Sequence, residues 1–113
     1  MSKNRHKIAL ITDSTADLPA ELADRYGIVV QPLYVIWGGQ ILRDGVDISR
    51  GAFYERIGRD AEHPKTSQPT PADFAQLLQR CGCQEALIIT ISSGLSGTYN
   101  SAQRAAEIAA ARV

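Results

Sequence analysis

The sequence predicts an α/β fold: a parallel-core sheet flanked by helices, with a β-hairpin inserted between its units. Three observations carry that prediction. Two short apolar runs, Ile8-Ala-Leu-Ile11 and Leu87-Ile-Ile89, lack polar alternation, the pattern of central strands covered on both faces. Each run leads into a hydroxyl-rich turn and then into helical periodicity, so strand, turn and helix alternate along the chain. Between them, the β-branched and aromatic stretch from Ile28 to Trp37 meets Gly38-Gly39, a hairpin signal.

The elements follow in order. Lys7 to Thr12 reads as the first strand, and Asp13-Ser-Thr-Ala-Asp17 as a polar turn. Leu18-Pro19 opens a helix, because proline near the first position lacks only an N–H that would have no helical partner. Leu18, Leu22 and Tyr26 recur every fourth residue as its expected apolar side, and Gly27 ends it as a left-handed cap. Pro32 puts the start of the next run at a sheet edge or a bulge, since proline cannot donate to the ladder. Gln40 to Arg43 completes the hairpin, Asp44-Gly45 turns the chain, and Ser49 caps a short helix with Phe53 and Ile57 on one face. From Gly58 to Pro69 there is no periodicity, and His63-Pro-Lys-Thr-Ser-Gln-Pro69 reads as an ordered loop. Thr70-Pro71 starts a helix in which Phe74, Leu77, Leu78 and Cys81 make the stripe that lies on a sheet. Leu87, Ile88, Ile89 and Ile91 form a strand expected to be buried on both faces. Ser92 to Gly97 is its turn, Ser96 or Thr98 caps the last helix, and Tyr99, Ala102, Ala106 and Ala109 are its expected packing side.

Composition narrows the function. At 113 residues, with 44% hydrophobic and 21% charged residues, the chain suits one globular domain spanning 1–113. Twelve basic residues balance twelve acidic ones, which leaves no electrostatic footprint for nucleic acid. No apolar stretch approaches the length of a membrane span, and Met1-Ser-Lys-Asn-Arg-His-Lys7 leads into a strand rather than a signal-peptide core, so a cytoplasmic location is expected. Cys81 and Cys83, one glycine apart, suit reduced thiols rather than a disulfide framework or a zinc site.

In an open parallel sheet, ligands bind beyond the carboxyl ends of the strands. Two such ends are visible, Thr12-Asp-Ser-Thr15 and Ser92-Ser-Gly94, and the loop carrying Thr66 and Ser67 can reach the same rim. A glycine-rich turn before a helix aims backbone N–H groups and the positive end of the helix dipole at an anion. Each group also has a structural use: Asp13 as a turn cap, Ser14 and Thr15 as turn residues, Ser92 and Ser93 as partners for the chain end. His6 and His63 read as solvated, and Trp37 as hairpin packing or a partner contact. Around Ser96 the nucleophile elbow lacks its last glycine, and neither a P-loop nor a dinucleotide fingerprint is present. Asp13 after an apolar strand suggests an aspartyl phosphatase or phosphotransferase, yet the second acid that such enzymes place two residues on is Thr15 here. The residues suit holding an anion better than transforming one.

Four motifs then carry a resemblance. Ile11-Thr-Asp-Ser-Thr-Ala-Asp-Leu-Pro19, Pro32-Leu-Tyr-Val35 with Asp44-Gly-Val-Asp-Ile-Ser49, Lys65-Thr-Ser-Gln-Pro-Thr-Pro71 and Ile91-Ser-Ser-Gly-Leu-Ser-Gly-Thr-Tyr-Asn-Ser101 together resemble the DegV family of bacterial fatty-acid-binding proteins. The resemblance implies a non-enzymatic carrier, without a cofactor, that holds a long-chain fatty acid and presents its carboxylate to a fatty acid kinase catalytic subunit. It implies that Thr66 and Ser93 hydrogen-bond the carboxylate, with Ser67, Ser92 and Gly94 beside them and Asp13 and Ser14 shaping the site. Family members carry a second, C-terminal domain that closes over the acyl chain, so the expectation is that residues 1–113 correspond to the amino-terminal portion with that domain absent. Exposed sheet edges would then favour self-association.

Overall fold

A computed structural model of the chain describes residues 8–82 and 85–110; Lys7, His6 and Cys83 lie outside the described residues. The order is β1 (Ile8–Asp13), a single 3-10 turn (Ser14–Ala16), α1 (Ala20–Tyr26), β2 (Ile28–Gln31), β3 (Tyr34–Trp37), β4 (Gln40–Arg43), α2 (Arg50–Arg59), β5 (Lys65–Ser67), α3 (Pro71–Cys81), β6 (Glu85–Ile89) and α4 (Thr98–Ala110). The strands form two three-stranded sheets. The first is parallel, in the order β2-β1-β6, and the second antiparallel, in the order β4-β3-β5. Parallel core, flanking helices and hairpin are as the sequence predicts.

The parallel sheet is built around the alternation of β1. Ala9, Ile11 and Asp13 point to the side covered by α3 and α4, where Phe74, Leu77, Cys81, Ala102 and Ala105 complete a buried cluster. Fully burying Phe74, Leu77 or Ile11 stabilises the fold by roughly 1.5–3 kcal/mol each. The α3 stripe is as predicted, and the helix starts on a capping box in which Thr70 Oγ1 accepts from Asp73 N and Asp73 accepts from Thr70 N. Small residues let α4 lie against α3, but its buried side is Thr98, Ser101, Ala102 and Ala105, whereas Tyr99 and Ala106 are exposed. The alanine repeat is compatible with more than one face, and contact with α3 selects the one 3.6-residue stripe that also holds Thr98 and Ser101.

The far side of the same sheet corrects a second expectation. β6 is an edge strand, not a central one: Leu87 and Ile89 are 53% and 54% exposed, and Ile8 on the same face is also exposed. An apolar run without alternation reports an affinity for cover on both faces; it does not supply the cover. In α1, likewise, only Ala23 is buried, while Leu22 and Tyr26 are exposed, so the every-fourth-residue stripe is not its packing face. Gly27 does end α1 in the left-handed region, at φ 67°.

Pro32 divides the long β-branched run. Its first part, β2, is the edge of the parallel sheet, and its second part, β3, is the centre of the other sheet. Ser49 Oγ caps α2 through Ala52 N. Trp37, 1% exposed, organises the second core with Val35 and Ile48. Its ring meets Phe53 edge to face at 5.5 Å, Arg56 stacks on it at 4.4 Å, and its Nε1 donates to the Glu62 carbonyl at 3.0 Å. Trp37 is therefore packing, while Ile57 on α2 is partly exposed. The aperiodic stretch before Pro69 contains β5, whose three residues pair with β3. Three residues are too few to show a period of two.

Candidate functional site

The two sheets leave an open cleft of about 1290 Å³ between them. One wall comes from α1 and β2 with Leu18 and Val30; the other comes from β3, β5 and α2 with Val35, Thr66 and Phe53. Ser14 stands at the junction of the walls. At the mouth, Arg50 Nη2 donates to the Asp17 carbonyl at 2.8 Å and forms an ion pair with its carboxylate at 3.5 Å. This contact clasps α2 to the turn after β1.

The rim is a ring of contacts linking three loops. Asp13, 1% exposed, accepts from Thr15 N at 2.8 Å, from Thr15 Oγ1 and, through its other oxygen, from Ile91 N at 2.9 Å. It thereby fastens the end of β1 to the end of β6. Thr12 Oγ1 strengthens the same seam by donating to the Ile89 carbonyl at 2.9 Å. Ser14 Oγ accepts from Leu33 N at 3.0 Å, which ties β1 to the start of β3. β3 then pairs with β5, with Val35 opposite Thr66 and Tyr34 opposite Ser67. The ring closes where the loop after β5 meets the turn before α4: a Cβ on Gly97 would fall 2.6 Å from Gln68 Cδ.

The seven predicted site residues fall into two groups. Asp13 and Ser14 are turned inward, with their oxygens committed to backbone N–H groups. Both carboxylate oxygens of Asp13 accept hydrogen bonds, so the carboxylate braces the two strand ends. Thr66, Ser67, Ser93 and Gly94 are exposed, and among the described residues the hydroxyls of Thr66, Ser67 and Ser93 carry no hydrogen bond. Ser92 Oγ accepts from Gly94 N at 3.2 Å, which shapes the turn. Thr66 and Ser14 line the cleft itself; Asp13, Ser67, Ser92, Ser93 and Gly94 do not line it. Ser96 caps α4, accepting from Thr98 N at 3.2 Å and sharing a hydroxyl–hydroxyl bond with Thr98. His63 is exposed. Sequence reasoning missed Gln68, Arg50 and Asp17, because polar residues in loops and first helical turns look like ordinary solvated groups.

Electrostatic perturbation falls on three pairs, one of them at Tyr34, which stands across the ladder from Ser67. Tyr34 donates to Asp73 Oδ2 at 2.9 Å, and that bond, with partial burial, holds its phenol above the usual tyrosine range. Arg43 holds Asp47 below the ordinary carboxylate range, and Arg56 does the same to Asp60. Among the described residues, no group of three His, Cys, Asp or Glu side chains could hold a metal ion, and no helix is long and apolar enough to cross a membrane.

Known proteins share this arrangement. The family model described as "Uncharacterised protein, DegV family" matches residues 7–113. A DegV domain-containing protein of Deinococcus radiodurans is 42% identical over 108 residues, covering 94% of this chain and 38% of the relative. A solved DegV family protein of Thermus thermophilus, described as binding fatty acid, superposes with a TM-score of 0.80 at 40% identity, over 91% of this chain and 38% of that one. A stearic acid-binding protein of Eubacterium ventriosum superposes with a TM-score of 0.82 at 33% identity, over 90% of this chain and 36% of that one. The chain thus spans well under half the length of these relatives. Because the family model matches residues 7–113 and the fold superposes on solved members, the chain belongs to the DegV family.

Proposed function

We propose that this chain holds a long-chain fatty acid, with the acyl tail in the cleft between the two sheets and the carboxylate met by the hydroxyls of Thr66 and Ser93. The observation that carries this reading is the cleft itself, lined by Leu18, Ile28, Val30, Val35 and Phe53 and by Thr66, whose hydroxyl has no partner among the described residues. At about 1290 Å³ it exceeds the roughly 300–1,000 Å³ typical of small-molecule sites. Each methylene removed from water contributes roughly 0.8 kcal/mol. A tail of about fifteen therefore supplies on the order of 12 kcal/mol gross, against several kcal/mol for desolvating the carboxylate. Hydrogen bonds to a charged head, roughly 1.5–3 kcal/mol each, offset that penalty. Ser67, Ser92 and the Gly94 backbone flank the head, and Asp13 and Ser14 hold the strand ends that carry it. The fatty-acid binding described for the Thermus and Eubacterium relatives supports the same assignment.

On this reading the chain is a carrier that presents the carboxylate to a kinase subunit and catalyses nothing itself. The bracing role of Asp13 supports that against an aspartyl phosphotransferase. Residues 1–113 act as the amino-terminal portion of the family fold, and the exposed Leu87 and Ile89 beside the open edge of β6 support pairing with a second copy of the chain. Lipid extraction of the purified protein followed by mass spectrometry is expected to give one fatty acid per chain or per dimer, the latter separated by light scattering. Delipidated protein with no affinity for added stearate overturns the reading.

A further inference from the structure

We propose that Gln68 is a positioning residue whose seat is Gly97, and that this contact sets the placement of the Ser92–Gly94 turn relative to Thr66; its consequence for ligand affinity rests on the fatty-acid reading above. Gly97 does not occupy the left-handed region, so its backbone angles do not call for glycine. Room does: a Cβ there would lie 2.5 Å from Gln68 Nε2 and 2.6 Å from Cδ. The Gln68 side chain is exposed and its carboxamide makes no hydrogen bond among the described residues, so what it meets at Gly97 is a packing contact.

Both neighbours of Gln68 are anchored. Thr66 and Ser67 belong to β5, and Pro69 is buried just before the α3 capping box. The partner turn is less well held. Its internal bonds run from Leu95 N and Ser96 N to the Ser92 carbonyl, and its tie to β1 is the Ile91–Asp13 bond at one end. The other end runs into α4, whose Thr98 and Ser101 are buried, and Gln68 on Gly97 adds a contact between that end and the loop after β5. Without Gln68, this contact between the turn that carries Ser93 and the loop that follows Thr66 and Ser67 is lost.

The test follows from which atoms would collide. An added methyl at Gly97 meets the far end of a flexible side chain, so Gly97→Ala expels the amide and leaves the folded core intact, while Gln68→Ala deletes the amide. In amide hydrogen exchange on the full chain, both variants are expected to accelerate exchange at Leu95 and Ser96, whose N–H groups donate to the Ser92 carbonyl, by about fivefold, the equivalent of a contact near 1 kcal/mol, with β1 amides unchanged. The double variant should show about the same fivefold rather than the product, because the two changes remove one contact. Gln68→Met, which preserves length without hydrogen bonding, should restore wild-type exchange. Stearate affinity is expected to fall in parallel in the two single variants. Unchanged exchange at Leu95 and Ser96 in both single variants, or multiplied effects in the double, overturns the proposal. Accelerated exchange with a wild type that binds no stearate upholds the positioning role and overturns the fatty-acid reading instead.

Discussion

The parallel sheet ends in two hydroxyl-rich turns of similar composition, and they do different work. After β1, Asp13 and Ser14 face inward. The carboxylate bonds three donors, and the Ser14 hydroxyl accepts from Leu33 N across to the second sheet. After β6, Ser93 faces outward without a partner, as does Thr66 across the rim. Composition is not what separates them. β1 is the middle strand, so its end lies among backbone groups of two neighbours that need acceptors, whereas the end of β6 lies at the sheet edge, where fewer such groups surround it. One turn fastens the strand ends together; the other leaves the Ser93 hydroxyl without a partner among the described residues.

The largest expected effect attacks the inward turn. Asp13→Ala leaves the N–H groups of Thr15 and Ile91 without their acceptor, at roughly 1–3 kcal/mol each, so a loss of about 3 kcal/mol is expected in denaturant unfolding. Full stability in that variant would erase the distinction between the turns. The outward pair should behave in the opposite way. Thr66→Ala with Ser93→Ala is expected to leave unfolding unchanged while weakening stearate binding about 100-fold in calorimetry, from two bonds to a charged head. A fall in stability without a fall in affinity would move these hydroxyls into the structural class.

Ser14→Ala sharpens the comparison at smaller scale. It removes the acceptor for Leu33 N, and a stability loss of about 1 kcal/mol is expected, measured as a lower midpoint at unchanged m-value. The smallest effect is a pH signature. Tyr34 has its phenol pKa raised in the folded state by Asp73, so between the ordinary value near 10 and the raised value the unfolded chain binds fewer protons than the folded one. Stability from this bond is complete below pH 10 and lost as pH rises through the folded value. Tyr34→Phe should flatten that alkaline limb. The opposite sign holds for Asp60, whose pKa is lowered by Arg56: its contribution is present above the ordinary aspartate range and fades as pH falls through the lowered value.

Much of this could be read before the fold was known. Local signals have local causes, which is why the α3 stripe, the Thr70-Pro71 start, the Ser49 cap, the Gly27 stop and the break at Pro32 all hold. Faces were less legible. The spacing of Leu18, Leu22 and Tyr26 describes one side of α1, but which side packs depends on where the sheet lies, and here only Ala23 is buried. The burial of β6 failed for a related reason, since hydrophobicity along a strand says nothing about whether neighbours are present to cover it.

The sequence by itself determined the order of strands and helices apart from β5, the positions of the turns and the presence of hydroxyls at two strand ends and one loop, because propensity, capping and alternation act within a few residues. Only the tertiary structure decided which hydroxyls are committed to the backbone and which stay free, that Gln68 rests on Gly97, and that a cleft opens between two sheets. Those outcomes depend on contacts between segments as far apart as Asp13 and Ile91, where the geometry of approach, not the identity of the residues, sets what each group can bond.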